Sequence, residues 1–472
     1  MPDASGQSFS EGPIVILGGG VSGALLAARL LGIPGKRQVV VVDDAGPPGR
    51  GLAYSTAGRI HLVNANAGRM SADPDDADHF TNWLARFVRR GGWPEAPNIP
   101  VSDMFAPRSI YGLYIQELLA DAVTVNARHG RRFQWLPLRA VDVNDAEGGL
   151  QVHFHDGAPL SASVVVLATG IHSRSGIRGP AGRPRGVLDP WHPALEATAG
   201  ADARIAIVGA GLTMVDAVVS LQHAGHRGPI DVISRHGLKP HPRRLPPEWP
   251  DFLAEEASGI SLGALTRKVR RECRAALRLG IDWQAPLDMV HAHIARFWHA
   301  ASDLQRRRFV RLIRPFWESH HHRSPPQAAL LLDRLVAEGR LRHIAADVQA
   351  IDTSQRKPRL TMRLRGSTGV ENGTYDAVIV SSGVEYDWRR VDQPLPRNLL
   401  QRGWVRPGPL GLGIDATTQF RVIDRHGEAF RKLLAIGPPL RGLWWESTAI
   451  VDIARQASEL AGSLVEYEAA NS

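Results

Sequence analysis

The chain reads as an α/β protein with two dinucleotide-binding units, each on a parallel sheet, and a helical insert in the second. Three observations predict this. A glycine-rich strand–turn–helix opens at residue 14, a second opens at residue 205, and helical patterning fills 239–326, where the second unit should already be resuming its sheet.

The first opening runs "IVIL", residues 14–17, then "GGGVSG", then "ALLAARLL". Gly18, Gly20 and Gly23 fit G-x-G-x-x-G in the required strand-to-helix context. Gly18 permits the tight turn, Gly20 lets the backbone approach a pyrophosphate, and Gly23 lets the helix pack close to its strand. The helix N-terminus attracts the anion. Asp43 closes the next strand, "VVVVD", where a carboxylate can accept hydrogen bonds from a ribose.

The second opening runs "IAIV", residues 205–208, then "GAGLTMVDAVVSL". Gly209 and Gly211 hold the first two positions, but Met214 replaces the third glycine, so helix and strand should pack less closely. The following strand ends in Ser234 and Arg235 rather than an acid. An arginine there suits a 2′-phosphate, which an acid would repel, so NADP is favoured with NAD as the alternative. Between the openings, "VVVLATG" (164–170) is a buried strand ending in Ala168, Thr169 and Gly170, and "AVIVSSG" ends likewise at Gly383. Such strands mark where a two-domain flavoprotein passes from one unit to the other. The expected division is a Rossmann-like FAD unit at 1–200 and 384–472, an NAD(P) unit at 201–238 and 327–383, and the insert at 239–326 as a substrate cap. Thr169 and Gly170 count among the FAD contacts, and Gly209, Gly211, Ser234 and Arg235 among those of NADP.

Composition agrees with a globular protein, at 43% hydrophobic and 22% charged residues. No apolar run reaches membrane-spanning length, and residues 1–12 lack the layout of a signal peptide, so they read as a tail on a cytoplasmic protein. The single cysteine, Cys273, excludes an intrachain disulfide and a CxxC redox pair, and with it disulfide-reductase chemistry. Net charge is +9, and only five of the 56 basic residues are lysines. Their spread along the chain fits solvated helix faces and an anionic small molecule; no nucleic-acid-binding motif accompanies them.

Residues 50–84, "RGLAYSTAGRIHLVNANAGRMSADPDDADHFTNWL", closely resemble a large bacterial family of FAD/NAD(P)-binding proteins. The matching residues are Gly51, Ala53 and Tyr54, then Leu62 and Asn64, then Met70, Ser71 and the acidic run 75–80. Arg108, Tyr111, Gly112, Tyr114, Asp216 and the C-terminal "GPPLRGLWWESTAIVDIARQ" extend the resemblance over nearly the whole chain. It implies FAD contacts from Asn64, Met70 and Ser71. More distantly, the domain order resembles flavin-dependent N-hydroxylating and Baeyer–Villiger monooxygenases. The latter's F-x-G-x-x-x-H-x-x-x-W motif is absent, with only Trp191 and its neighbours similar to it.

In the tail, "LLAIG" should be a strand ending at Gly437, followed by a helix starting near Ser447 or Thr448, either of which is a usable N-cap. Aimed at a flavin ring, that helix N-terminus would stabilise negative charge there. Glu446, just ahead of it, is a candidate polar neighbour of the flavin. In the insert, helical patterns fall near 261–279, 284–300 and 302–314. Phe309, Leu312, Ile313 and Phe316 form one face, four arginines lie mostly off it, and Pro315 should end or kink the last helix. A basic cap favours an anionic substrate, or NADPH itself.

"FWESHHHRSPP", 316–326, invites a metal reading. Successive helical residues diverge by about 100°, so His320, His321 and His322 would not converge from a helix. An extended segment would leave only His320 and His322 on one side. No metal is assigned. The stretch also resembles the family's Trp-acid-x-His-x-His-Arg segment, and His320, His322 and Arg323 become the candidate catalytic residues, lining a substrate or NADPH channel. The alternative is a hydrogen-bonded junction. The expected activity is that of an FAD-dependent, NAD(P)H-using oxidoreductase, monooxygenase-like, on a small anionic or amine-bearing molecule. A reductase without oxygen insertion and a non-enzymatic FAD-binding sensor are the alternatives.

Overall fold

The computed structural model describes residues 12–56, 58–126, 130–173, 186–190 and 200–470. Trp191 and nearly all of the N-terminal tail lie outside them. The first sheet has six strands, in the order Arg421–Ile423, Ala429–Ala435, Val164–Leu167, Ile14–Leu17, Val39–Val42, Phe133–Leu136. All neighbours are parallel except the edge pair 421–423 and 429–435. The three central strands are runs of Ile, Val and Leu buried at every position, as a sheet covered on both faces requires. Helices Val21–Leu31 and Ile450–Ala470 pack together beside it.

The second sheet has seven strands, ordered Glu371–Thr374, Arg359–Leu364, Leu341–Asp352, Ile230–Ser234, Ile205–Val208, Ala377–Val380, Val187–Leu188. The five strands from Leu341–Asp352 to the edge strand Val187–Leu188 are parallel, and 359–364 and 371–374 form an antiparallel flap. The two openings superpose in logic. A Cβ on Gly18 would lie 2.3 Å from the Ala168 carbonyl oxygen, and one on Gly209 would lie 2.2 Å from that of Ser381. Each first glycine therefore lets its turn touch the end of the neighbouring strand. Met214, at the third glycine's position, is fully buried in one core with Ile205, Ile207 and Leu332.

The insert folds as helices Leu262–Arg278, Gln284–His291, Ile294–Ala300, Asp303–Arg308 and Arg314–His321. The expected 284–300 helix is thus broken at 292–293. The Asp303 helix starts with a full capping box between Ser302 and Gln305. A π-helical turn, Phe309–Ile313, then precedes Arg314–His321, which carries Pro315 at its start. Pro315 has no N–H for the Arg311 carbonyl four residues back, and the widened turn absorbs that loss. It also rotates the expected apolar face. Leu312 and Phe316 are 59% and 43% exposed, while Phe309, Val310 and Trp317 pack inward. The insert buries Leu253, Leu287, Phe297 and Trp298 against Leu412 and Trp445 of the C-terminal segment. No helix among the described residues is long and apolar enough to cross a membrane.

Candidate functional site

At the first glycine turn, Gly20 stands at the N-cap of Val21–Leu31 without a side-chain cap, leaving backbone N–H groups for an anion. Gly23 sits against the Gly18 carbonyl, where a Cβ would lie 1.9 Å from the oxygen. Asp43 is committed locally: its Oδ2 accepts from Gly19 N at 2.5 Å and its Oδ1 from Ala45 N at 2.8 Å. It braces the turn itself. Gly437 brings the C-terminal segment onto this helix end. Its φ is +75°, and a Cβ there would fall 2.3 Å from Ser22 Oγ, so only glycine fits. Gly437 N donates to Gln456 Oε1 at 3.0 Å.

Two hydroxyls at this cleft, Thr169 Oγ1 and Ser447 Oγ, are buried without a partner, and Gly170 faces open space. Buried donors of that kind ordinarily find partners, so a polar group of a bound molecule is the fitting occupant. The helix expected from Ser447 or Thr448 starts instead at Ile450, after a turn in which Ala449 N donates to the Glu446 carbonyl. Thr448 Oγ1 accepts from Arg441 at 3.2 Å, which removes it as a cap. Of the residues implied by resemblance, Asn64 is half-buried. Met70 is buried, its carbonyl accepting from Tyr111 OH at 2.7 Å. The Ser71 hydroxyl donates to the carbonyls of Asp73 and Asp76 and shapes its own loop.

At the second turn, Gly211 caps Leu212–His223 and faces open space. Ser234 Oγ accepts from Gly237 N at 3.1 Å, and Arg235 is exposed just past its strand. Arg365, on the exit of strand 359–364, two strands away, reaches His236 Nδ1 at 2.5 Å. Burial and the charges of Arg365 and Arg235 lower the pKa of His236. Two guanidiniums therefore stand where one was expected. Arg365 carries no motif, and only the pairing of strands 341–352 and 359–364 brings it here.

An ion pair and a hydrogen bond join the units. Arg108 Nη2 lies 3.0 Å from Asp216 Oδ2, and His61 Nε2 2.9 Å from Ser220 Oγ. Burial raises the pKa of Asp216, with Arg108 and His61 opposing it. Asp288 of the insert is a hub for three arginines: Arg323 at 2.6 Å, Arg243 at 3.4 Å, and Arg69 of the first unit.

The three histidines do not meet at one point: His320 packs apart from the other two, while the His321 and His322 ring centroids lie 5.4 Å apart. His320 bonds the Phe316 carbonyl at 2.8 Å and packs on His241 and Trp283. His322 ends the helix, its N–H donating to the Glu318 carbonyl, and burial together with the His321 charge pushes its pKa down to about 4. Arg323 is fully buried and donates to the His320 carbonyl as well as to Asp288. The structure thus gives Arg323 and His320 bonds within the junction.

His321, which sequence reasoning passed over, is the one that meets other chemistry. It stacks on Trp317 and on His291, and its Nε2 lies 3.7 Å from Glu446 Oε2; His291 Nε2 lies 3.4 Å from Asp452 Oδ2. Burial raises the Glu446 pKa, but the charges of His321, Arg441 and His322 outweigh it and hold the carboxyl at about 2. For His291, burial lowers the pKa and the bond to Asp452 overrides it, leaving it raised. Among the described residues, the donor atoms of His291, His321 and Glu446 lie within 4.8 Å of one another. The two imidazoles are stacked, 11° from parallel, and Arg441 adds a positive charge beside Glu446. We read the group as two histidine–carboxylate pairs. A cavity of about 50 Å³ adjoins them, lined by His291, Glu446 and Asp452. No local motif announces this cluster, because its members come from three distant segments.

Residues 15–172 match a family model described as FAD-NAD(P)-binding. No curated protein matches the chain by sequence. Among solved structures, the reduced form of ornithine hydroxylase from Pseudomonas aeruginosa is 16% identical with a TM-score of 0.63, covering 96% of this chain and 99% of that one. Ornithine N-hydroxylase from Kutzneria sp. 744, with reduced FAD, NADP+ and L-ornithine in its description, is 13% identical at 0.62, with the same coverage. The cadaverine monooxygenase of desferrioxamine biosynthesis from Erwinia amylovora, bound to FAD, is 13% identical at 0.64, covering 96% and 94%. The segment 15–172 thus resembles FAD-NAD(P)-binding proteins, and the chain is folded over nearly its whole length like these solved structures.

Proposed function

We propose that this chain is an FAD-dependent oxidoreductase that takes electrons from NADPH and acts as a monooxygenase on a small amine-bearing molecule. The supporting observation is the pairing of two uncapped helix N-termini at glycine turns, Gly20 and Gly211, with buried unpartnered hydroxyls at the first. The neighbours' described substrates, ornithine and cadaverine, support the amine class. Bound FAD would supply the hydride-accepting and oxygen-reducing chemistry.

The chain's own residues supply the rest. The turn 18–20 and the helix end at Val21 hold a pyrophosphate, with Asp43 bracing the turn and Thr169 and Ser447 offering hydroxyls. Arg235 and Arg365 grip a 2′-phosphate by charge-assisted hydrogen bonds. Glu446, held ionised by His321 and Arg441, fixes a negative charge beside Ser447. Trp298, Phe309 and Trp445 pack edge-on and tilted into one apolar wall that excludes water.

The test starts with the visible spectrum of the purified protein. A flavin spectrum, rapid bleaching by NADPH and hydroxylated product from one of a panel of diamines and amino acids are expected. NADPH oxidation with peroxide but no product from any amine would replace the proposal with a reductase. Colourless protein that FAD does not reconstitute would overturn both.

A further inference from the structure

A second cavity, of about 480 Å³, lies between the π-helical turn of the insert and the segments 384–390 and 409–412. Its size is that of a small-metabolite site. Arg307, Arg311 and Arg314 line it at i, i+4 and i+7 along one side of the insert, with Arg389 and Arg390 opposite. Its only carboxylates are Glu385 and Asp387, both buried. Five guanidiniums against these two carboxylates and Glu318, which pairs with Arg314 from outside the lining, leave two positive charges in excess.

The partners of these groups are uneven. Arg389 is held by Asp387 through two bonds, at 2.8 and 2.7 Å, and Arg390 Nε lies 3.9 Å from the same carboxylate. Arg314 is paired with Glu318 at 2.7 Å. Arg307 and Arg311 are exposed and make no ion pair among the described residues. Arg307 and Arg311, four residues apart and without a counter-anion, repel one another and destabilise the segment that carries them. Val310, Leu410 and Leu412 add an apolar patch for a carbon skeleton.

Position ties this hollow to both clefts. One wall begins at Val384, directly after Gly383, on the exit of the strand whose Ser381 carbonyl touches the Gly209 turn. The other wall ends at Leu412, whose carbonyl lies 2.5 Å from where a Cβ on Gly442 would sit, on the segment leading to Glu446 and Ser447. Resting on the function proposed above, we propose that this hollow binds the anionic end of the substrate, a small molecule carrying two or more carboxylate or phosphate charges. The planar forks of Arg307 and Arg311 read those groups bidentately. The insert is the specificity element, and its π-turn sets the arginine spacing.

The experiment titrates the full chain with citrate and with inorganic pyrophosphate, followed calorimetrically at low and moderate salt. Binding that weakens as salt rises is expected. It should fall at least tenfold in the double variant Arg307→Ala/Arg311→Ala, while NADP+ binding, read at Arg235 and Arg365, stays within twofold. Citrate favoured over pyrophosphate assigns carboxylates to the site, and the reverse assigns phosphates. Equal binding by wild type and variant, or none by wild type, overturns the site. A parallel tenfold loss of NADP+ binding overturns it as a substrate site and gives it to the nucleotide. The arginine-dependent binding is read without turnover, so a protein that binds citrate yet never oxidises NADPH refutes the oxidoreductase reading alone.

Discussion

Asp288 offers the sharpest test of whether the polar junction of the insert is structural or catalytic. Its side chain is 13% exposed and faces Arg323, which is fully buried, Arg243, which is nearly so, and the half-exposed Arg69. Those three guanidiniums outweigh burial and lower the Asp288 pKa. Replacing Arg323 with methionine removes one cation and its bonds to Asp288 and the His320 carbonyl, but the carboxylate keeps two arginines. The loss should be about 2 kcal/mol, that of one charged hydrogen-bonding group. Asp288→Asn leaves two buried guanidiniums facing each other without a counter-charge, and should cost about 3–5 kcal/mol. The double variant should be more stable than the sum of the two losses allows, because removing Arg323 relieves part of that repulsion. Urea midpoints at equal FAD occupancy read all three. If Arg323→Met proves as destabilising as Asp288→Asn or more so, the hub assignment fails. If Arg323→Met leaves stability untouched and abolishes turnover, Arg323 is a channel residue after all.

Three further outcomes follow from the clefts. Gly437→Ala should shed FAD, because its Cβ would meet Ser22 Oγ at 2.3 Å and force a side chain into left-handed backbone; flavin retained after gel filtration would contradict the close approach. Arg235→Ala and Arg365→Ala should each raise the KM for NADPH about tenfold, the equivalent of one charge-assisted bond, and leave that for NADH unchanged. An equal change for both nucleotides removes the 2′-phosphate assignment. Glu446 has a folded pKa of about 2 against an ordinary 4.5, so its stabilisation is complete above pH 4.5 and drains away as pH falls towards 2. That amounts to at most about 3 kcal/mol, and Glu446→Gln should flatten the fall in urea midpoint across that range. An unchanged slope would mean the carboxyl is not held by its histidine and arginine neighbours.

What could be read ahead of the fold was whatever is written in contiguous residues. The runs "IVIL", "VVVV" and "IAIV" specify buried parallel strands, and the glycines after the first and third specify turns that meet a neighbouring strand, so both sheets and both glycine turns were legible. The separation of His320 from His321 was legible too, because helix geometry is local; the His321–His322 contact was not, because the helix ends between them. The apolar face of 309–316 was misread for the opposite reason. Its period assumed a regular α-helix, and a π-turn ahead of Pro315 changed the phase of everything after Phe309. Asp43 shows a subtler gap: its place at the strand end was legible, but its bonds to Gly19 and Ala45 were not. Wholly hidden were the sites assembled from distant segments. Arg365 reaches His236 across 129 residues, and His291, His321 and Glu446 meet from three elements.

The insert shows why such convergence matters. By sequence it interrupts the second unit, leaving at Lys239 and returning near Pro326. Its buried surface belongs elsewhere: Trp298 Nε1 donates to the Gly442 carbonyl at 2.9 Å, Leu287 and Phe297 pack with Leu412 and Trp445, and Asp288 binds Arg69. Its link to its own unit is a narrow neck, where Pro242 bridges Ser324 and His241 exchanges backbone bonds with Ser319 and Ser324. A helical insert spliced into one unit but packed on the other stays with the first cleft if the second unit turns. Arg314 would then keep its place over the Trp445 ring, and a rotation would be felt at the neck and at the Arg108–Asp216 and His61–Ser220 contacts. Breaking those two contacts should therefore alter NADPH-dependent steps while leaving binding in the arginine-lined hollow intact.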